Sequence, residues 1–206
     1  MTAEVAVGYA LLTGLAVFLT GAVAWRMAYQ QPLAVSLAAI DRDRRRHRWI
    51  HVWMTVAMFV TPAGLGGLPF LTRLWGARAL FAMAFAVYAL GANCWLVSLA
   101  FRLTVVPWAA ERTVEDGAPP EGFSAINAWA GALYTLHMAM SYVTFAIVGA
   151  GILLSGGLPA WSGYLGIGWG CGFLVGLVTT RFAGPFNPPF WAHAYTALVG
   201  ILLLIV

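Results

Sequence analysis

Arg42-Asp43-Arg44-Arg45-Arg46-His47-Arg48, set between two long apolar runs, is the stretch on which the fold of this chain turns. It holds five of the eleven basic side chains in a sequence that is 62% hydrophobic and 9% charged. Soluble domains carry about a quarter charged residues, so an ordinary soluble fold is excluded. Working outward, apolar runs lie at 5–29, 49–66, 78–102, 124–154, 161–181 and 190–206. A bilayer core of about 30 Å needs roughly 20 helical residues to cross. Backbone polar groups in lipid must be satisfied within the segment or in a closed barrel. Barrel strands read as short alternating segments, and these runs are long and uniformly apolar. The expectation is an all-α, polytopic bundle of six spans forming one transmembrane domain, 1–206.

Orientation follows from the same arginines, because Lys and Arg accumulate in cytoplasmic loops. With Arg42–Arg48 inside, loops 30–48, 103–123 and 182–189 are cytoplasmic, and both the N-terminus and the C-terminus are outside. Arg26, Arg102, Arg112 and Arg181 then also fall inside, and only Arg73 and Arg78 outside. Most of the ten tryptophans fall near one predicted interface or the other, as in the aromatic belts of membrane proteins. The net charge of +4 therefore serves topology and not nucleic acid. The expected partners are the lipid bilayer itself and anionic headgroups at Arg42–Arg48. The acidic start, Met1-Thr2-Ala3-Glu4, lacks the basic region of a cleavable signal. The bacterial cytoplasmic (inner) membrane is the expected location.

Within the connections, 103–112 with Pro107 and Trp108 predicts a short interfacial helix, and Glu111 through Glu121 a solvated loop. Ser124 is placed as the cap of the fourth span, and Asn187-Pro188-Pro189 as the capped start of the sixth. Gly168, Gly172 and Gly176 fall every fourth residue on the fifth span, a spacing that lets helix backbones approach closely in lipid. The partner is either another helix of this chain or another membrane subunit. Gly-Gly-Leu-Pro occurs at residues 66–69 and 156–159, both read as outer turns.

The composition excludes several chemistries. Lysine is absent, which removes Schiff-base catalysis. The seven acidic residues are Glu4, Asp41, Asp43, Glu111, Glu115, Asp116 and Glu121, and none lies inside a predicted span. A carboxylate proton relay at membrane depth is therefore not built, and no protease motif stands out. Cys94 and Cys171 show no CxxC partner and read as buried, inert thiols.

The histidines remain. His51 and His193 are expected at similar depth near the inner boundary, which admits a single b-type haem with these two as axial ligands. Met54 and Met58 follow His51 at helical spacing and line either a soft-metal pocket or ordinary core. A different reading gathers Arg26, His51, Arg181, Asn187 and His193 around an anionic headgroup, aided by the positive end of the sixth helix. In span four, Asn127, Tyr134, His137, Ser141 and Thr144 form a polar stripe that Asn93 of span three faces. The stripe is either the wall of a central cavity or a set of interhelical hydrogen bonds.

Gly156-Gly157-Leu158-Pro159-x-Trp161-x-Gly163-Tyr164-Leu165-Gly166, the Pro188-Pro189 start of span six and the arginine-rich early loop together resemble small multi-pass bacterial membrane proteins of unassigned function. The resemblance implies the six-span layout and carries no activity. The functional expectation is a non-catalytic membrane protein that binds an amphipathic ligand or lipid, or an accessory subunit of a larger complex. The haem protein and a small uncoupled transporter are the alternatives.

Overall fold

The computed structural model describes residues 1–25, 31–181 and 184–205. Those residues form seven α-helices: α1 (Ala3–Ala22), α2 (Leu33–Arg42), α3 (Arg44–Gly67), α4 (Trp75–Asp116), α5 (Phe123–Ser155), α6 (Ala160–Thr179) and α7 (Trp191–Ile205). Five of them, α1, α3, α4, α5 and α6, are long and apolar enough to cross a membrane, and α7 is a shorter apolar helix of 15 residues. The protein is an all-helical membrane protein.

Local chemistry sets most of the helix ends. Thr2 accepts the N–H of Val5 at 3.4 Å to cap α1, and Asp43 accepts that of Arg46 at 3.2 Å to cap α3, each satisfying a donor that the first turn leaves over. Gly156, at φ +65°, ends α5 with its N–H on the Ile152 carbonyl at 3.0 Å, the left-handed stop that glycine adopts without a Cβ clash. At the other end of α5 the cap is Gly122, not Ser124.

The main helix pairs, α1 with α3 and α7, α4 with α5, and α5 with α6, are antiparallel. Gly14 of α1 lies against Thr61 of α3, and Gly21 against Ile50. Gly8 meets Gly200 of α7, while Phe18 meets His193. Farther on, Gly91 of α4 faces Met140 of α5, Gly76 faces Leu154, and Gly149 of α5 faces Gly163 of α6. One core runs through the bundle, from Leu11, Phe18 and Met58 to Tyr88, Trp95, Tyr142 and Tyr195.

The connections differ from the sequence reading in three places. The stretch 30–48 is not a plain loop: α2 fills much of it, and Arg44–Arg48 form the first turns of α3. Nor does α4 stop at Arg102. It continues through Pro107 for 42 residues, about 63 Å, so the interfacial helix and much of the loop predicted at 103–123 belong to one rod. Proline removes one helical hydrogen bond, but Val106, Ala109, Ala110 and Thr113 are buried at helical spacing and keep the helix continuous through it. They pack with Leu37 and Ile40 of α2 and Phe123 and Ala130 of α5 in a second, smaller core. Arg44 reinforces this layer by pairing with Asp41 and, at 3.4 Å, with Glu111.

The third difference concerns 182–189. Gly184–Phe186 is a 3₁₀ turn tucked against α5, whose Tyr142 and Tyr134 hydroxyls donate to the carbonyls of Phe186 and Asn187. Irregular backbone is tolerated inside a bundle when neighbouring side chains satisfy it in this way. Helix α7 begins only at Trp191. The N–H groups of Trp191, Ala192 and His193 bond to Pro188, Pro189 and Phe190 carbonyls, so Asn187 does not cap it.

On α6 the glycines that meet another helix are Gly163, Gly166 and Gly170. A Cβ on Gly170 would stand 2.3 Å from the Tyr142 carbonyl oxygen. Gly168 and Gly172, two of the three expected in the seam, face open space, and Gly176 lies under Phe186. Cys171 is exposed beside them, and it and the half-buried Cys94 are both free thiols.

Candidate functional site

A cavity of about 700 Å³ opens at the arginine-rich end of the bundle. Its apolar surfaces come from Met54 of α3, Trp95 and Leu99 of α4, and Leu37 of α2. His51, Ser98, Arg102, Asn127 and Asn187 supply the polar groups. On α4, Trp95, Ser98, Leu99 and Arg102 lie at i, i+3, i+4 and i+7, which places them on one face. The α3 wall is held by two hydrogen bonds: His51 Nδ1 lies 2.7 Å from the His47 carbonyl, and His47 Nε2 lies 2.6 Å from the Arg102 carbonyl. A carbonyl only accepts, so each of these nitrogens carries its proton. The two ring centroids lie 4.2 Å apart, tilted by 40°, and the His47–Arg102 bond ties α3 to α4 at the rim.

Asn187 arrives in the cavity on the backbone that Tyr134 anchors. Its side-chain Oδ1 is buried with no hydrogen-bond partner. A buried acceptor left this way costs about 1–3 kcal/mol, so a ligand donor at this point would be favoured.

Of the five residues expected to hold a headgroup, His51 and Asn187 line this cavity. Arg26 lies outside the described residues. Arg181 sits exposed just past the end of α6, at φ 53°, and does not contribute. His193 is elsewhere: fully buried, its Nδ1 is 3.3 Å from Thr61 Oγ1 and its ring is stacked on Phe18 at 4.5 Å. Thr61 is ten residues beyond His51 on α3, about 15 Å along the axis. The expectation of equal depth therefore fails, and His51 and His193 cannot meet at one haem iron. The lead-in to α7 is the cause: the Tyr142 and Tyr134 hydroxyls hold the Phe186 and Asn187 carbonyls against α5, so the chain is already at depth when α7 begins. Among the described residues, no three His, Cys, Asp or Glu side chains gather for a metal.

The expected cavity wall divides similarly. Tyr134 does line the cavity. Asn93 points outward, exposed, and donates to its own Ala89 carbonyl at 3.0 Å. Ser141 donates to the His137 carbonyl at 2.9 Å, and Thr144 to Met140 at 2.8 Å and Ala84 at 3.4 Å, so both are helix-packing groups. His137 is fully buried behind the cavity, its ring stacked on Trp95 at 4.7 Å.

Sequence reasoning missed Trp95, Ser98 and Arg102 as site residues. The signal was present in their spacing, but Arg102 read as a span end and Trp95 as core. Against known protein families, curated proteins and solved structures, the chain has no match.

Proposed function

We propose that this is a six-crossing protein of the bacterial cytoplasmic membrane, with both termini outside, that binds an amphipathic ligand without catalysing a reaction. Its ligand site is the cavity at the arginine-rich end. Nine arginines on the inner side against two on the outer support the orientation. The antiparallel order of α1, α3, α4, α5, α6 and α7 is consistent with it. Helix α7 alone is about 22 Å long, and the half-buried lead-in through Phe186 and Asn187 supplies the rest of the sixth crossing.

The observation that carries the ligand reading is the composition of the cavity. Aromatic and aliphatic floors with a few convergent polar groups are the pattern of small-molecule sites. Here the lining holds one guanidinium, one imidazole and three amides, from Gln31, Asn127 and Asn187, beside the apolar Trp95, Met54 and Leu99. A headgroup with an anion for Arg102 and a hydroxyl or ammonium donor for Asn187 Oδ1, its chain against these apolar side chains, matches both surfaces. Anionic lipids of the inner leaflet also have Arg42, Arg45 and Arg48, all exposed, at the α2–α3 corner.

Mass spectrometry of molecules retained after gentle extraction tests the proposal. A bound amphiphile is expected with the wild type and with Arg181→Ala, and is expected to be lost from Arg102→Ala and His51→Ala. Equal retention by all four proteins would refute the site.

A further inference from the structure

A second set of polar groups lies deeper, on different residues from the ligand cavity. On α4, Phe81, Tyr88 and Trp95 stand seven residues apart and are all buried, so they mark one face at intervals of about 10 Å. Trp95 borders the inner cavity. Phe81 borders another, of about 500 Å³, at the opposite end of the bundle, with Leu71, Ile152, Val199 and Leu203 around it. Walls from α4 and α5 are shared by both cavities. Tyr88 lies midway between them.

At this middle level, Thr61 of α3, Tyr88 of α4, His137 of α5 and His193 of α7 are each fully buried. Thr61 bonds His193 at 3.3 Å, and the Tyr88 and His137 rings meet edge-on at 5.6 Å. The Tyr88 hydroxyl, which faces Thr61, both nitrogens of His137, which lies by the Gly91 backbone, and Nε2 of His193 have no hydrogen-bond partner within 3.5 Å. Four orphaned groups from three helices, in an interior whose buried polar groups are otherwise almost always paired, call for a guest that satisfies them. The acidic residues and arginines of the described chain all lie away from this level; Arg102 on α4 is fourteen residues beyond Tyr88, about 21 Å along the axis. With no counter-charge, an ion would lose its hydration uncompensated. Neutral imidazole offers one donor and one acceptor, and a phenol offers both. The complementary guest is small, uncharged, and both donates and accepts hydrogen bonds.

We propose that the two cavities are the mouths of one path through the bundle, and that Thr61, Tyr88, His137 and His193 form its constriction, selective for small uncharged solutes of the water and urea class. In this structure the path is shut: Trp95 lies flat on His137 from the inner side, and Phe18 covers His193. Rotation of the Trp95 side chain opens it. The path does not rest on the amphiphile reading, and an amphiphile seated in the inner cavity would cap it.

The test uses the purified full-length protein in phosphatidylcholine vesicles, with urea permeability read by stopped-flow light scattering. Wild-type vesicles are expected to pass urea faster than protein-free ones. Trp95→Ala raises the protein-dependent rate, and Tyr88→Phe, which removes one hydroxyl and keeps the ring, lowers it about tenfold through one lost hydrogen bond. Gly172→Ala, on the outward face of α6, leaves it unchanged. Wild-type and Trp95→Ala vesicles both no faster than protein-free ones would overturn the path. An undiminished rate in Tyr88→Phe would overturn the constriction.

Discussion

Gly170 and Gly172 stand two positions apart on one helix, and the structure assigns them opposite consequences on substitution by alanine. At Gly170 the new methyl would lie 2.3 Å from the Tyr142 carbonyl oxygen and 2.7 Å from the Ala146 nitrogen. Both are backbone atoms that no rotamer change can move. Ordinary contact begins near 3.4 Å, so α6 must withdraw from α5 by about 1 Å, and a gap of that size forfeits a quarter to a half of each dispersion contact along the seam. The seam also includes Gly163 against Gly149 and Gly166 against Phe145, and α6 has few other neighbours. Overpacking of this kind costs about 1–3 kcal/mol, and at about 2–4 °C per kcal/mol the midpoint should fall by about 2–12 °C. At Gly172 a methyl meets nothing within 4 Å, and alanine is the better helix former, so stability should hold or rise slightly. Fluorescence-detected thermal unfolding in one detergent compares the two. A Gly170→Ala protein as stable as Gly172→Ala would refute the packing of α6 described here.

Two further outcomes follow from the architecture. In a background lacking Cys94 and Cys171, a membrane-impermeant maleimide on intact cells should label Gly157→Cys and should reach Arg45→Cys only after permeabilisation; the reverse pattern would invert the proposed orientation. Leu37 is 1% exposed in the smaller core, so Leu37→Ala should cost about 2–4 kcal/mol and speed hydrogen exchange throughout α2. Unchanged exchange there would mean that α2 does not depend on its packing against α4.

Much of the helix layout was legible in the residues. The run expected at 124–154 became Phe123–Ser155, and that at 161–181 became Ala160–Thr179, because hydropathy over some 20 residues is a local quantity that lipid reads directly. The candidate site was legible only in part. His51 and Asn187 of the headgroup reading and Tyr134 of the polar stripe border one cavity. Arg102 and Trp95 were hidden because span ends and buried aromatics are too common to single out without a neighbour.

Order along the chain, the helical class and the clustering of arginine at one end of the bundle were set by composition and the spacing of apolar runs, properties each segment carries before it meets another. Three features depended on what each segment met. The α4 helix runs through Pro107 because α2 and α5 bury Val106, Ala109 and Ala110. The rotation of α6 follows the Tyr142 and Ala146 backbone, which admits Gly170 and leaves Gly172 outside. The level of His193 follows from the Tyr134 and Tyr142 hydroxyls, which hold the lead-in to α7 inside the bundle. Each is a contact between residues remote in sequence, and periodicity within a single helix carries no record of which surface will press against it.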